Sequence, residues 1–377
     1  MSANNRNRLK TSVSAVASSG LGAFTISTAS SGYRSFVAGD DGLTFDGVLI
    51  TEGTTWEVRD GCVYTHSGTS LSRGTLMDSS TGSAIAFTSA AVVSQGGAKM
   101  FADMALLAMA STIPGGRLTL ESGVPVSTTD QTAKTSIYYT PFVNNVVPLW
   151  DGYKWRPIEF SETTLALGTL TSGKPYDVFG YLSGGALALE LLVWTNDTTR
   201  ATAVTIQDGR YCKSGDKTRL LLGTFYTTST TTTADSESYR YLSNVYNQVC
   251  KRLVNSSTSS HTYTTGSWRE WNGGTGINKC NFVSALPLNA VPCSLNVNMQ
   301  IGAAGTVGYA NIDYDSTTGT NRLITNLEAY LGAIGSIALS GAAIIANLVG
   351  RHYFTTVQYG SSNVTYAAMT LYGDFQC

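Results

Sequence analysis

Charged side chains are scarce in this chain, and what replaces them alternates. Short runs of apolar and hydroxyl-bearing residues are cut at close intervals by Gly, Asp-Gly and Ser-Gly turns. Only 13% of the 377 residues are charged, against about 25% in a typical soluble domain. A chain this polar and this uncharged is either low-complexity or built from close-packed sheets with hydroxyl-rich outer faces. A hydrophobic fraction of 42% and six Trp argue against disorder. Period-two alternation between turn residues is the mark of strands. The expected class is therefore all-β: serial antiparallel β modules, a C-terminal jelly-roll-like sandwich and a short helical connector.

The turns divide the chain. Residues 1–95 read as an N-terminal β module, with a returning strand around Trp56 after the Glu52-Gly53 turn and another at Cys62-Val63-Tyr64-Thr65. Residues 96–116 read as a connector. Within it the period changes: Met100, Met104 and Leu107 recur at helical spacing over residues 98–110, before Pro114-Gly115-Gly116. Residues 117–253 form a middle β domain that opens on the alternating Arg117-Leu118-Thr119-Leu120. The Ser/Thr/Asn run at 255–260 reads as a linker, and residues 254–377 form the last β domain. Residues 329–350 carry no charge, yet Gly332, Gly335, Ser336, Ser340, Gly341 and Asn347 fit strands and turns better than a membrane span.

A net charge of −1 argues against nucleic acid and anionic membrane as partners. No apolar core of signal-peptide length follows Met1. The six cysteines form no CxxC pair, and Cys62 with His66 lacks companions for a zinc set, so neither metal nor other cofactor is expected. With three His and no G-x-S-x-G, HExxH or phosphate loop, the chain reads as a non-enzyme. The carboxylate pairs Asp40–Asp41 and Asp235–Glu237 are the nearest things to a hydrolytic site, and acids in such turns are ordinarily solvated. Trp268, Arg269 and Trp271 are the candidate glycan contacts, because an exposed Trp pair can stack on a sugar face. Cys280 and Cys293 flank a strand and a Pro-containing turn, so a hairpin could join them. Cys377 is expected at a mobile end.

Several ordered runs resemble tailed-phage and prophage virion proteins: fibres, head spikes and minor structural proteins. They are Gly116-Arg117-Leu118-Thr119-Leu120, Ser136-Ile137-Tyr138-Tyr139-Thr140-Pro141, Leu149-Trp150-Asp151-Gly152, Tyr176-Asp177-Val178-Phe179, Trp194-Thr195-Asn196-Asp197, Gln207-Asp208-Gly209 and Tyr263 through Glu270. In the N-terminal part, Glu52 through Glu57, Leu71 through Thr75 and residues 84–93 resemble a module that accompanies such domains. The resemblance implies a virion appendage made in a host bacterial cytoplasm and acting in the virion. Its N-terminus would dock on other virion proteins of the head, neck or tail, and its C-terminus would face outward. It also implies a homotrimer. The alternative is a receptor-binding protein that recognises host surface glycans, and behind it a glycan depolymerase.

Overall fold

The computed structural model of the protein describes residues 9–95, 113–152, 154–274, 276–287, 290–330, 333–360 and 364–377. Among these the elements are strands, with four single turns of 3-10 helix. The expected helix at residues 98–110 lies outside the described residues. The chain forms two compact units, residues 1–111 and 112–377.

The first unit holds one nine-stranded sheet. Its strands run in the order Thr44–Phe45, Cys62–Thr65, Ser70–Leu71, Phe24–Ala29, Leu9–Val16, Val92–Gln95, Val48–Glu52, Thr55–Asp60 and Thr75–Ser79. Alternation decides which side chains go in: Leu9, Thr11 and Val13 are buried, while Lys10 and Ser12 between them are not. Phe24, Phe45, Val48, Ile50, Cys62, Leu71 and Val93 fill the core. Charged groups are buried in this unit as well. Glu57 is fully buried and bridges Arg59 at 2.8 Å and Arg73 at 2.8 Å. The backbone N–H of Ile85 also donates to it. Burial alone would raise this carboxyl's pKa. The hydrogen bonds from Arg59, Ile85 and Arg73, with the charge of Arg73, outweigh burial and hold it below the usual range.

The second unit begins with small antiparallel sheets. Gly116–Thr119 pairs Ser136–Pro141, which pairs Thr163–Ala166. Val146–Trp150 pairs Trp155–Glu159. A six-stranded sheet is centred on Pro175–Ser183 and Asp216–Tyr226. Leu118, Ile137, Tyr139, Leu149, Trp155, Val178, Leu222 and Phe225 share one core with them.

A sandwich follows. One layer contains Lys279–Ser284, Gly350–Gly360, Val307–Tyr314 and Leu327–Tyr330, and belongs to an eight-stranded sheet that also takes in Gln131–Lys134 and Thr233–Ser236. The other runs Cys250–Ser257, Val364–Gln376, Val291–Ile301, Gly335–Ile345, with His261–Thr262 beside the second of these. Phe282, Leu295, Met299, Ile312, Phe354, Tyr366, Leu371 and Phe375 pack between the layers.

The boundary expected after Leu253 falls inside this unit. Strand Cys250–Ser257 runs through it, paired over its whole length with Val364–Gln376. The run at 255–260 looks like a linker by composition, but Asn255, Ser256 and Ser257 take their places in the ladder opposite Leu371, Thr370 and Met369. A backbone ladder uses N–H and C=O groups, which Ser and Asn supply as well as Val does. Half of the uncharged stretch at 329–350 is the strand Gly335–Ile345, as its Gly and Ser content suggests. Among the described residues no helix is long and apolar enough to cross a membrane.

Candidate functional site

The outer side of the eight-stranded sheet carries a row of rings. Tyr309 and Tyr359 are direct cross-strand partners. Their rings lie 5.7 Å apart in an edge-to-face arrangement, which the ring quadrupoles favour. Trp268 immediately precedes Arg269–Glu270, the short strand that pairs Gln358 and Val357, and so falls in the same row. Its ring is 5.6 Å from Tyr359 and 6.4 Å from Tyr309. All three rings are half-buried.

A loop fixes the row from one side. Buried Asp313 accepts the backbone N–H groups of Gly319 at 2.7 Å and Asn321 at 2.8 Å, which folds residues 315–321 back over the sheet. Gly319 has φ +72°, and a Cβ there would stand 2.6 Å from the Cβ of Trp268. Only glycine meets both conditions. The loop ends on Arg322, whose guanidinium lies 4.8 Å above the Trp268 ring and donates to the Gly319 carbonyl. The result is a half-buried aromatic shelf, with the Gly319 turn and the Arg322 guanidinium lying against Trp268.

The other predicted contacts part company with Trp268. Trp271 is fully buried, packed edge-on against His261 and Tyr366 at 5.3 Å each. It is a core residue and cannot offer a face to a glycan. Trp271 opens a single turn of 3-10 helix, Trp271–Gly273, in which Asn272 has φ +55°. Arg269 stacks 3.7 Å from the Tyr263 ring and is half-buried. Glu270 is buried and accepts the N–H groups of Gly276 at 2.7 Å and Asn278 at 2.9 Å, pinning the next loop. Sequence reasoning missed Tyr309, Tyr359 and Arg322. The alternation of Val307–Tyr314 and Gly350–Gly360 marks both tyrosines as facing one side, but only the register places them next to Trp268.

The carboxylate pairs do not converge. Asp235 is buried between Lys251 at 2.6 Å and Arg240 at 3.4 Å, while Glu237 is exposed. Asp40 is buried and accepts the N–H of Val37, and Asp41 accepts that of His66. Both hold turns. Cys62 lies in the core, where burial pushes its thiol up to about 12, while His66 is exposed. Among the described residues no group of three or more His, Cys, Asp or Glu could hold a metal ion.

Cys280 and Cys293 are both buried in the sandwich core as free thiols. Burial raises both, that of Cys293 to about 11, and Cys293 adds to the rise at Cys280. They are therefore neighbours without a bond. Cys377 is held, not mobile: its backbone exchanges hydrogen bonds with Val249 at 2.9 and 3.0 Å, and Arg117 reaches its Sγ at 3.8 Å.

No family model matches the chain, and no curated protein does. Among solved structures, infectious bursal disease virus Gx strain is similar with a TM-score of 0.25 at 10% identity, over 70% of this chain and 65% of that one. The insecticidal delta-endotoxin Cry8Ea1 from Bacillus thuringiensis gives 0.19 at 8% identity, over 70% and 52%. A glycoside hydrolase family 43 arabinoxylan arabinofuranohydrolase from Bacillus subtilis gives 0.18 at 11%, over 93% and 74%. The chain thus spans less than two thirds of the length of the first two. Likeness this slight carries no argument about function.

Proposed function

We propose that this chain is a non-catalytic structural component of a tailed-phage virion that works as an oligomer of identical copies, a trimer by its resemblance to fibre and spike proteins. The first unit docks on the particle and the second is displayed. The observation that carries the reading is the outward face of the sheet formed by Cys250–Ser257, Val364–Gln376, Val291–Ile301 and Gly335–Ile345. Asn296, Asn298, Gln300, Ser336, Ala338, Ser340, Ala342 and Ile344 are its exposed residues over most of two strands. Charges gather at one end, where Arg252 and Asp374 stand opposite each other. A face solvated for life as a free monomer ordinarily carries interspersed charges, and depletion of charge marks surfaces that pack on protein.

The ionisable groups support the same reading. Glu57, Asp235, Glu270 and Asp313 are buried and committed to guanidinium, ammonium or backbone N–H partners that hold strands and loops. The test is incorporation. Phage particles assembled with a chain lacking residues 1–95 are expected to lack the protein, while particles with the full chain bind an antibody against it. Retention of the shortened chain would place docking in the second unit, and absence of the full chain from particles would refute a virion role.

A second reading, recognition of a host surface glycan, is favoured by the shelf of Trp268, Tyr309 and Tyr359. Glycan-array binding that is lost in Trp268→Ala would support it.

A further inference from the structure

The strand Gly335–Ile345 lies at the edge of its sheet. On one side it pairs with Val291–Ile301 through all eleven residues without a register shift. On the other side no strand pairs with it among the described residues. In an antiparallel ladder every second residue turns its N–H and C=O away from the partner, so this edge presents a row of backbone groups that no strand meets among the described residues.

Natural proteins guard such edges with Lys, Pro, bulges or a short strand, because an open edge recruits another strand. None of these guards is present. The strand reads Gly-Ser-Ile-Ala-Leu-Ser-Gly-Ala-Ala-Ile-Ile, and no charged residue occurs anywhere from Ala329 to Gly350. The opposite edge of the same sheet, Cys250–Ser257, carries Lys251 and Arg252. One edge is protected and the other is bare.

We propose that the bare edge pairs antiparallel with the same strand of a second copy of this chain, about a two-fold axis at Ser340. The proposal rests on the reading above only in requiring identical copies. Three observations select this occupant. Antiparallel pairing of a strand with itself is self-complementary, as a two-fold contact must be. In that register Ser340 faces Ser340 and Ala338 faces Ala342, so small side chains meet small side chains at the centre. The strand offers no charge with which to select an unlike partner. Eleven residues paired in this way form about ten hydrogen bonds, the number carried by a whole interface of standard size. Two sheets then continue into one across the axis.

The experiment uses the full chain at micromolar concentration. Light scattering should give an even number of copies, six where two of the proposed trimers join through this edge. Ala338→Lys combined with Ala342→Lys puts like charges face to face across the axis, and both residues are exposed, so the fold is kept. The mass should fall by half, with an unchanged circular dichroism spectrum. Independently, Ser340→Cys in a Cys250→Ser background should give a covalent dimer on mild oxidation, since directly opposed Cβ atoms lie within disulfide reach. A parent chain with an odd number of copies, one or three, or a mass unmoved by the lysines together with no Ser340→Cys dimer, overturns the proposal. Self-pairing by a chain that is absent from particles would refute the virion role and leave this contact standing. A particle-borne chain whose mass is unmoved by the lysines and which gives no Ser340→Cys dimer would do the reverse.

Discussion

Glu57 shows what a single residue does in a chain with so few charges. It is the hub of two buried guanidinium contacts, and Arg73 also lies 5.5 Å from the Phe24 ring and 5.4 Å from that of Phe87. Removing its charge leaves two cations buried without their counter-ion. Glu57→Gln should therefore cost roughly 3–5 kcal/mol of stability, the usual loss when one partner of a buried pair is removed. Urea denaturation at neutral pH would measure it. The pH dependence has a definite sign. The folded pKa lies below the unfolded value of about 4.3, so the folded state favours the carboxylate. Its stabilisation is complete above that unfolded value and is lost as pH falls through the folded one. Acid should accordingly narrow the gap between the parent and Glu57→Gln, and a gap that stays constant down to pH 2 would contradict this assignment. Gly319 is the second residue of this kind. Gly319→Ala should cost about 1–3 kcal/mol for its left-handed backbone, and should displace Trp268 as well, read as a change in tryptophan emission without unfolding.

At the scale of elements, the strand Cys250–Ser257 is the instructive case. Alternation, turn residues and uncharged polar runs made the all-β class readable, and the Gly and Ser of residues 335–341 rightly spoke for strand rather than membrane helix. The same Ser-rich composition misled at residues 255–260, because hydroxyl residues are at home in linkers and in exposed ladder positions alike. The two nearby tryptophans were equally ambiguous: Trp268 stays half-buried beside the outer tyrosines, while Trp271, at the start of the turn that holds left-handed Asn272, is fully buried. The row of Trp268, Tyr309 and Tyr359 was illegible for another reason. Its members lie on three separate segments, and only strand register unites them. From the pairing it follows that residues 254–377 expressed alone, which lack half of an edge strand and the buried Leu253, should not give a cooperative unfolding transition. Restoring residues 112–253 should bring that transition back. Leu253→Ala in the full chain should cost about 2–5 kcal/mol, as a fully buried leucine does.

For the whole molecule, the thiols report burial. Five of the six cysteines are buried and Cys250 is exposed. Native protein should react quickly at one thiol per chain with an aromatic disulfide reagent, and at the other five only on unfolding. Fast reaction at two or more would contradict the packing. The order of strands also governs how the second unit comes into being. Val364–Gln376 is an inner strand that lies between Cys250–Ser257 and Val291–Ile301. Its neighbours are synthesised first and must wait, for roughly ten seconds at ordinary elongation rates, before the segment that joins them leaves the ribosome. The sandwich cannot assemble progressively during translation. It closes late, in one step dominated by contacts distant along the chain, which makes folding slow. During that interval nascent chains on one message expose their waiting strands to each other, and a cell making this protein quickly will divide it between native molecules and entangled aggregates according to how fast that last strand inserts.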